Sequence, residues 1–410
     1  MRMSGETALP LYYFKGFLER GVDVRMVLHA RTRQELRDTL TEEEFARLVF
    51  IEDRKSQMAI ATLAELKMTS PRIRELLLYQ LVRSITQRRV RQVVKRIVAT
   101  EGADAVFEPL PIGPLAVSHM YDVGAPVIVG PLCGGLDFPP AFRYMDQAFT
   151  RVAIDAARAA APALHRIIPG KLRADAVIVA NERTANALPP GCTGKRYTLI
   201  ESGVDLSLWE PVPYPRHPVS EPTRFVYFAR FIDWKGIEFL VDAFARVVPH
   251  ANAQLVLIGD GELLEATKTQ VARHGLEDRV RFHGRLPLEE ALDIMKTCDV
   301  YMATGLRECG GLALLESMAL GTPIIACNWA GPGEYVDETC GVLVDPTSRE
   351  DYVDGLAAAM IELSRDPERI QRLGTGAAAR VQTQCFGWDA KVDRALEIIR
   401  ETVARAAVGT

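Results

Sequence analysis

Residues 307–323 read Arg-Glu-Cys-Gly-Gly-Leu-Ala-Leu-Leu-Glu-Ser-Met-Ala-Leu-Gly-Thr-Pro, and this stretch decides the fold of the second half of the chain. After the paired glycines the apolar residues recur at helical spacing, and Gly321 followed by Pro323 is a typical helix end. One apolar run begins before it at Val300 and another follows it at Ile324. The pattern therefore predicts a strand, a glycine-rich loop, a helix and a second strand. In such units ligands bind beyond the carboxyl ends of the strands, against helix N-termini.

The loop in this stretch combines an anion-binding backbone with two carboxylates. Gly310 and Gly311 leave backbone N–H groups unscreened at a helix start, where the helix dipole favours an anion such as a diphosphate. Glu308 and Glu316 would repel a phosphate, so we expect them to bind neutral hydroxyl groups, such as those of a sugar and a ribose. A nucleotide-sugar offers all of these groups. The alternative is that Glu308 only complements the dipole and Glu316 lies on a solvated face, since two glutamates at this spacing are common by chance.

Length and composition indicate a globular protein of two domains. The 410 residues exceed what one core normally holds and suit two domains of roughly 200 residues each. A net charge of −4 with 25% charged residues gives no sign of nucleic-acid binding. No run approaches the ~20 apolar residues of a membrane span, and the seven cysteines include no C-x-x-C pair. We therefore expect a cytoplasmic protein with reduced thiols and no metal site.

The sequence of the first half predicts a doubly wound domain whose first strand is short. Such a domain starts with a central strand before its first glycine loop, and only Met1 to Met3 are available before the loop at Gly5. The first strand is therefore predicted to be truncated. Further strands are predicted over 22–28, 104–107, 126–129 and 175–180.

A second glycine loop, Gly130-Pro-Leu-Cys-Gly-Gly135, follows the predicted strand at 126–129. It is unremarkable as a simple turn. In a cleft, Gly134 and Gly135 would let a ligand approach the backbone closely.

A long helix predicted over 76–98 has one apolar and one basic face. The basic face carries Arg83, Arg88, Arg89, Arg91, Lys95 and Arg96. Such a face is usually a solvated surface. The alternative is a patch over 83–96 that attracts anionic lipid head groups or a phosphate-bearing acceptor, which would place the protein peripherally at the inner face of the membrane.

Prolines mark the boundary between the two halves. They are Pro211, Pro213, Pro215, Pro218 and Pro222, and they predict a stiff, extended linker. The predicted order is a Rossmann-like domain over 1–203, the linker over 204–223, a second Rossmann-like domain over 224–385 and a C-terminal helix over 386–410. We expect that helix to pack along the domain seam. Alternating strands and helices in the second half indicate an α/β fold with parallel strands.

Two cations follow the first strand of the second domain. Arg230 and Lys235 come after the apolar run 224–229, and Gly236 opens the next helix. Surface cations are usually only solvated. These two are predicted at the carboxyl end of the strand, on the same side as the Gly310 loop, and that position suits a leaving diphosphate.

Together these residues closely resemble the nucleotide-binding domain of the retaining GT-B glycosyltransferases of family four, the glycosyltransferase group 1 type. The resemblance is carried by an ordered set of motifs, Arg230…Lys235-Gly236, Gly259-Asp-Gly261, Gly284, Glu308-x7-Glu316 and Gly341-Val-Leu-Val-Asp-Pro346. Glu201-Ser-Gly-Val-Asp205 is similar to the family's domain-junction motif. The match is close over 175–388 and loose over the first half. It implies two Rossmann-like doubly wound domains that face a cleft.

The resemblance implies a role for each matched residue. Arg230 and Lys235 would hold the diphosphate and stabilise charge on the leaving nucleotide, and Glu308 would contact hydroxyls of the donor sugar. The other implied donor-binding residues include Gly5, which would close over the phosphates, and Glu316, which would bind the ribose. Gly284 and Arg285 would meet the base, and Gly310, Gly311 and Leu312 would offer backbone N–H groups. Gly259 is also implied to be donor-binding.

The implied reaction transfers a sugar with retention at the anomeric carbon. The acceptor hydroxyl attacks on the face that the diphosphate leaves, with a phosphate oxygen as base, so no protein nucleophile, metal or cofactor is expected. The donor would be UDP- or GDP-linked. The acceptor would be a hydroxyl of a glycan, a glycolipid or a small molecule, as in polysaccharide biosynthesis.

The first half departs from the family. Many relatives carry histidines after the strands ending near Phe107 and Val129, where this chain has Glu108 and Gly130. His119 is predicted on a nearby helix, and Gly134 and Gly135 are placed near the acceptor or sugar. Two alternatives therefore stay open, a catalytically silent nucleotide-sugar-binding protein and a phosphorylase on the same fold.

Overall fold

The computed structural model describes residues 8–52, 80–146 and 148–408. The chain divides into two compact units. The first unit comprises 1–135, 148–201 and 389–410, and the second comprises 136–147 and 202–388. Gly5 and the predicted truncated strand lie outside the described residues, as does the beginning of the helix predicted over 76–98.

The first unit contains two parallel sheets among its described residues. Its strands are β1 (Met26–His29), β2 (Leu48–Ile51), β3 (Val106–Glu108), β4 (Val127–Leu132), β5 (Ala176–Val179) and β6 (Lys195–Thr198). Its helices before the domain boundary are α1 (Leu9–Glu19), α2 (Arg33–Thr39), α3 (Glu42–Ala46), α4 (Gln80–Glu101), α5 (Ala148–Ile167) and α6 (Glu182–Asn186). One sheet has the order β3-β4-β5-β6, and β1 pairs with β2 in the other. Strands β2 and β6 were not predicted from the sequence.

The second unit is built on a six-stranded parallel sheet. Its strands are β7 (Thr223–Phe228), β8 (Ala253–Ile258), β9 (Val280–Gly284), β10 (Val300–Ala303), β11 (Ile324–Cys327) and β12 (Gly341–Val344). Its helices are α7 (Ile237–Val247), α8 (Leu264–Arg273), α9 (Leu288–Met295), α10 (Leu312–Ala319), α11 (Ala330–Tyr335), α12 (Arg349–Arg365) and α13 (Pro367–Thr383). The strand order β12-β11-β10-β7-β8-β9 reverses between β10 and β7. In doubly wound sheets, ligands bind at such a reversal, beyond the carboxyl ends of the two strands.

Burial on both faces of this sheet explains its apolar strands. Helices α7 and α12 pack together over it, and Phe239 and Phe244 of α7 are fully buried in the core. Phe142, which belongs to the inserted stretch 136–147, reaches the same core. Hydrophobic burial therefore joins a stretch from the first half of the sequence to the second unit.

The last helix, α14 (Trp388–Val408), packs within the first unit from residue 389 onward. A Cβ atom on Gly16 of α1 would lie 2.6 Å from Val392 Cγ2, so the absence of a side chain lets the two helices approach closely. Arg20 adds ion pairs to Asp389 and Asp393. The predicted position of this helix along a domain seam stays a prediction.

No helix of the described residues is long and apolar enough to cross a bilayer.

The proline-rich stretch 204–223 belongs to the second unit, where the partly buried Arg216 anchors it. The Arg216 guanidinium donates to the Leu320 carbonyl oxygen at 2.7 Å, to Thr322 Oγ1 at 2.7 Å and to the Cys298 carbonyl oxygen. These acceptors stand before β10 and β11, at the amino end of the sheet. Arg216 therefore donates to two backbone carbonyl groups at this edge of the sheet, one of which, that of Leu320, also accepts a hydrogen bond from Val212 N–H at 3.0 Å.

Replacing Arg216 tests this anchor. In Arg216→Met the Cys298 carbonyl oxygen loses this donor, whereas the Leu320 carbonyl oxygen keeps Val212 N–H. We expect a loss of about 2 kcal/mol of stability, because an unsatisfied buried acceptor costs about 1–3 kcal/mol. The measurement is the unfolding transition of the second unit. Arg224→Met is the matched control, since its pairing partner Glu221 is exposed and such pairs contribute about 0–1 kcal/mol. Equal transitions for both variants would contradict the anchoring role.

Candidate active site

Lys235 and Glu308, which are 73 residues apart in sequence, meet where the strand order reverses. Lys235 ends a short 3₁₀ turn after β7, and Glu308 lies in the loop between β10 and α10. The Lys235 Nζ atom is in direct contact with Glu308 Oε2. The two side chains are 24% and 20% exposed, so a ligand can reach the pair from solvent.

Buried hydroxyl groups fix the backbone of Lys235. The Tyr227 hydroxyl donates to the Lys235 carbonyl oxygen at 3.3 Å, and Thr304 Oγ1 donates to the same oxygen at 3.1 Å. Gly236 has a φ of +71°, and a Cβ atom there would lie 2.2 Å from the Thr304 carbonyl oxygen. Only glycine allows the two loops to approach this closely.

The Glu308 loop is held by backbone hydrogen bonds. Gly331 N–H of α11 donates to the Glu308 carbonyl oxygen at 3.0 Å, and Leu306 N–H donates to the Trp234 carbonyl oxygen at 2.9 Å. Gly311, with a φ of +131°, caps the start of α10. The first N–H groups of a helix have no intrahelical acceptor, so residues following Gly310 can donate to an anion.

Glu316 lies on α10 with only 7% of its surface exposed. Burial raises the pKa of its carboxyl group to about 8. Among the described residues, no side chain or backbone group donates a hydrogen bond to this carboxyl. The group is therefore available to a hydroxyl ligand, and it does not lie on a solvated face.

The remaining predicted donor residues line the carboxyl ends of β7, β8 and β9. Gly259 N–H donates to the Gly284 carbonyl oxygen at 2.8 Å, and a Cβ on Gly259 would lie 1.9 Å from the Ala229 carbonyl oxygen. Arg230 and Arg285 are exposed at this edge. The structure thus brings Lys235 and Glu308 into contact, whereas Arg230 and Arg285 share their edge of the sheet. The individual roles stay predictions.

Gly134 and Gly135 pack internally in the first unit. Gly134 N–H donates to Thr184 Oγ1 at 3.2 Å, and Arg183 donates to the Gly134 carbonyl oxygen. A Cβ atom on Gly134 would lie 2.4 Å from Pro114 Cδ. The close packing around Gly134 leaves no room for a side chain, which is one reason for glycine at this position. The role of Gly134 and Gly135 near the acceptor or sugar stays a prediction.

A buried polar cluster at the end of β3 was not predicted. Glu108 accepts a hydrogen bond from Ser118 Oγ at 2.5 Å, and burial raises its pKa to about 7. Lys171 is fully buried and donates to the Pro114 carbonyl oxygen at 2.9 Å, and burial lowers its pKa to about 7. Glu108 could have been found from its position at the carboxyl end of an apolar strand, where ligand-binding residues are common. Nothing in the sequence indicates that Lys171 is buried.

The predicted helical position of His119 is wrong. His119 lies in an irregular stretch between β3 and β4, where its Nε2 atom is 2.8 Å from Ser84 Oγ. Burial lowers the pKa of its imidazole to about 4. The irregular stretch itself places the imidazole ring against α4, so His119 is buried without being part of a helix.

Part of the basic face of α4 is used within the first unit. The Arg91 guanidinium lies 3.9 Å from the centre of the Tyr121 ring and donates to the Tyr121 carbonyl oxygen at 2.7 Å. Arg89 donates to the Glu52 carbonyl oxygen. The guanidinium groups of Arg89 and Arg91 therefore bind other residues of the first unit. The proposed contact of the 83–96 patch with lipid stays a prediction.

Residues 216–380 match the family described as glycosyl transferases group 1. This matched stretch lies within the second unit. The chain is 30% identical over 211 residues to the glycogen synthase of Mycobacterium tuberculosis, covering 51% of this chain and 49% of that relative. It is 31% identical over 245 residues to the D-inositol 3-phosphate glycosyltransferase of Thermomonospora curvata, covering 53% and 55%. The matched stretches thus span about half the length of these curated relatives.

Solved structures establish the fold over nearly the whole chain, including the first unit, which the family match does not reach. Sucrose-phosphate synthase from Thermosynechococcus elongatus has a TM-score of 0.68 at 21% identity and covers 98% of this chain and 94% of its own. HepE from Anabaena, solved in complex with UDP, has a TM-score of 0.65 at 17% identity, covering 98% and 97%. The predicted GT-B fold is therefore confirmed.

Stability as a function of pH tests the burial of Glu316. Its folded pKa of about 8 lies above the unfolded value, so its contribution is present at low pH and is lost as pH rises toward 8. Glu316→Gln cannot ionise, and its advantage over wild type should grow between pH 5 and 8.5 to about 2–4 kcal/mol. The measurement is the melting temperature across this range. Glu338→Gln, at an exposed position, is the control and should show a constant difference. A constant difference for Glu316→Gln would contradict its burial.

Proposed function

We propose that this chain is a retaining glycosyltransferase that moves a sugar from a UDP- or GDP-linked donor to a hydroxyl of a glycan, glycolipid or small molecule. The observation that carries the proposal is the contact between Lys235 and Glu308 at the reversal of the sheet order. A nucleotide-sugar joins its sugar directly to its diphosphate. A cation and a carboxylate held side by side suit the two halves of that linkage.

The positive charge of the site supports departure of the diphosphate. As the bond between the anomeric carbon and the diphosphate oxygen breaks, negative charge develops on the leaving group. Lys235 and Arg230, with the N–H groups at the start of α10, are in a position to stabilise it. One well-aimed donor of this kind is worth about 3 kcal/mol of barrier. No metal ion is needed in this scheme, because the protein supplies the countercharge.

The proton and the new bond are accounted for without a protein nucleophile. The acceptor oxygen bonds to the anomeric carbon on the face that the diphosphate leaves, and an oxygen of the departing phosphate takes the acceptor proton. Glu308 binds hydroxyls of the donor sugar and orients it for this step. Positioning of the two substrates is then a main source of rate enhancement.

The position of Glu316 is evidence that the donor carries a nucleoside, whose ribose this carboxyl would bind. Its buried carboxyl has no donor among the described residues and lies on the helix whose first turn follows Gly311. The two hydroxyls of a ribose would satisfy this group. The UDP bound in the HepE structure supports a nucleoside diphosphate as the ligand class.

The names of the relatives support transfer over the alternatives. Glycogen synthase and D-inositol 3-phosphate glycosyltransferase are both named for glycosyl transfer. Their acceptors differ from each other, so the names support the reaction class and leave the acceptor open.

A panel of nucleotide-sugars tests the proposal directly. A ligand that binds only the folded protein raises its melting temperature by mass action, with about 2.7 kcal/mol at 100 times its Kd. Donors found in this way are then incubated with candidate acceptors in phosphate-free buffer. Glycosylated acceptor with retained anomeric configuration is the expected product. Donor binding without turnover would indicate a silent binding protein, and turnover only with inorganic phosphate would indicate a phosphorylase; either result overturns the proposal.

Removing the side chain of either Lys235 or Glu308 should slow sugar transfer strongly. Lys235→Ala and Glu308→Ala should each lower kcat/KM about 100-fold or more, since single electrostatic donors in active sites contribute factors of about 10²–10³. Lys268→Ala, at an exposed lysine of α8, is the control and should retain activity. Unchanged melting temperatures establish that the variants fold. Wild-type rates from both site variants would refute the assignment.

The ion pair should also compete with the diphosphate. In Glu308→Gln, Lys235 loses its carboxylate partner and is free for phosphate, so UDP or GDP should bind about 2- to 5-fold more tightly even though transfer is slow. This factor corresponds to the ~0.5–1 kcal/mol of a partly exposed ion pair. Titration calorimetry measures it. Introducing Lys235→Ala as well should remove the gain, and a gain that persists would mean that Lys235 does not bind the diphosphate.

A further inference from the structure

The stretch 136–147 lies in the second unit, whereas the chain on both sides of it belongs to the first. We call its described residues, 136–146, the inserted segment. Two phenylalanines fix it in the core of the second unit. The Phe142 ring packs edge-on against Phe239 at 5.4 Å and against Tyr352 at 5.9 Å between ring centres, and Phe138 is also buried.

The inserted segment contacts the residue that precedes Glu308. The Arg307 guanidinium lies 5.6 Å from the centre of the Phe138 ring, and its Nη1 atom is 3.9 Å from Asp146 Oδ1. Both ends of the segment therefore touch the side chain next to the proposed sugar-binding carboxylate.

A second route leads through Trp329 to the backbone of Glu308. Trp329 Nε1 donates to the Asp137 carbonyl oxygen at 2.9 Å. Two residues later, Gly331 N–H donates to the Glu308 carbonyl oxygen at 3.0 Å. A Cβ atom on Gly331 would lie 2.1 Å from the Cys309 carbonyl oxygen, so the start of α11 and the loop are in direct backbone contact. A shift of Trp329 would therefore be transmitted to Glu308.

A third route leads to Lys235. Tyr352, which packs against Phe142, donates its hydroxyl hydrogen to the Thr304 carbonyl oxygen at 3.0 Å. Thr304 Oγ1 in turn donates to the Lys235 carbonyl oxygen at 3.1 Å. Both members of the ion pair are thus connected to the inserted segment through packed and hydrogen-bonded groups.

We propose that the inserted segment sets the geometry of the Lys235–Glu308 pair, and that Trp329, through its hydrogen bond to Asp137, is a positioning residue for sugar transfer. The inference rests on the proposed function. Misplacing a reacting group by 1 Å can cost about 100-fold in rate. Trp329 acts through the carboxylate that binds the sugar, so its loss should lower kcat and leave nucleotide binding almost unchanged.

The variant Trp329→Phe removes the indole N–H and retains an aromatic ring. We expect kcat to fall about 5- to 10-fold, the effect of losing one hydrogen bond that holds a reacting group. The Kd for UDP or GDP should stay within about 2-fold of wild type, because the proposed ribose and diphosphate contacts remain. Tyr144→Phe is the matched control. It lies in the same segment, is exposed, and its hydroxyl bonds to Arg349 instead of the Arg307 loop. Its kcat should equal that of wild type.

A double-mutant cycle separates positioning from a general loss of structure. If Trp329 acts through Glu308, Trp329→Phe should lower the residual rate of Glu308→Gln by less than about 2-fold, because coupled residues are not additive. Full multiplication of the two effects would overturn the proposal, as would a parallel loss of kcat in Tyr144→Phe.

Hydrogen exchange tests the inference even if no nucleotide-sugar is turned over. In the ligand-free protein, amides of the stretch 305–312 should exchange faster in Trp329→Phe than in wild type and Tyr144→Phe. Equal exchange in all three proteins would overturn the inference. Absence of turnover by the wild type, with the expected exchange difference, would refute the proposed function and leave the structural coupling established.

Discussion

The close approach of two backbones at Gly236 is the constraint on which the active site depends. With a φ of +71° and the Thr304 carbonyl oxygen 2.2 Å from where a Cβ would be, this position brings the turn after β7 against the end of β10. The ion pair between Lys235 and Glu308 follows from that approach. Both side chains stay partly exposed, so the net stabilisation from their attraction is only about 0.5–1 kcal/mol. A pair of this kind is therefore well suited to exchange its partners for those of an anionic, hydroxyl-rich ligand.

The second unit could be predicted in detail because its chemistry is local in sequence. Arg230 and Lys235 follow one apolar strand and Glu308 follows another, so the order of motifs indicated the fold and placed the two cations on the same side of the sheet as the Gly310 loop. The contact between Lys235 and Glu308 was not itself predicted. The connection of Glu308 to Trp329 and Asp137 could not be predicted. This connection exists because residues 136–147 join the core of the second unit and not that of the first. The periodicity of apolar residues shows which face of a segment is buried, but it does not show which core buries that face.

The first unit was harder to predict for a different physical reason. Strand β6 buries only Tyr197 among its residues, and its neighbours Lys195, Arg196 and Thr198 are exposed, so the apolar pattern of a strand is almost absent. The cluster around Glu108 and Lys171 consists of charged residues that a sequence analysis assigns to the surface. Each has a hydrogen-bond partner in the fold, Ser118 for Glu108 and the Pro114 carbonyl oxygen, 57 residues away, for Lys171. Tertiary contacts of this kind leave no periodic signal.

The insertion of 136–147 limits how this protein could be rearranged by recombination. The chain passes between its two units at 135/136, 147/148, 201/202 and 388/389. A fragment cut at 202 and 388 would lack Phe138 and Phe142, and each missing buried aromatic leaves a void that costs about 3–5 kcal/mol. A gene fusion that joins the first unit of one homologue to the second unit of another at the proline-rich stretch alone would thus deliver a second unit with an incomplete interior. Exchange of either unit with its core intact therefore needs compatible junctions on both sides of these twelve residues as well as at 201/202 and 388/389.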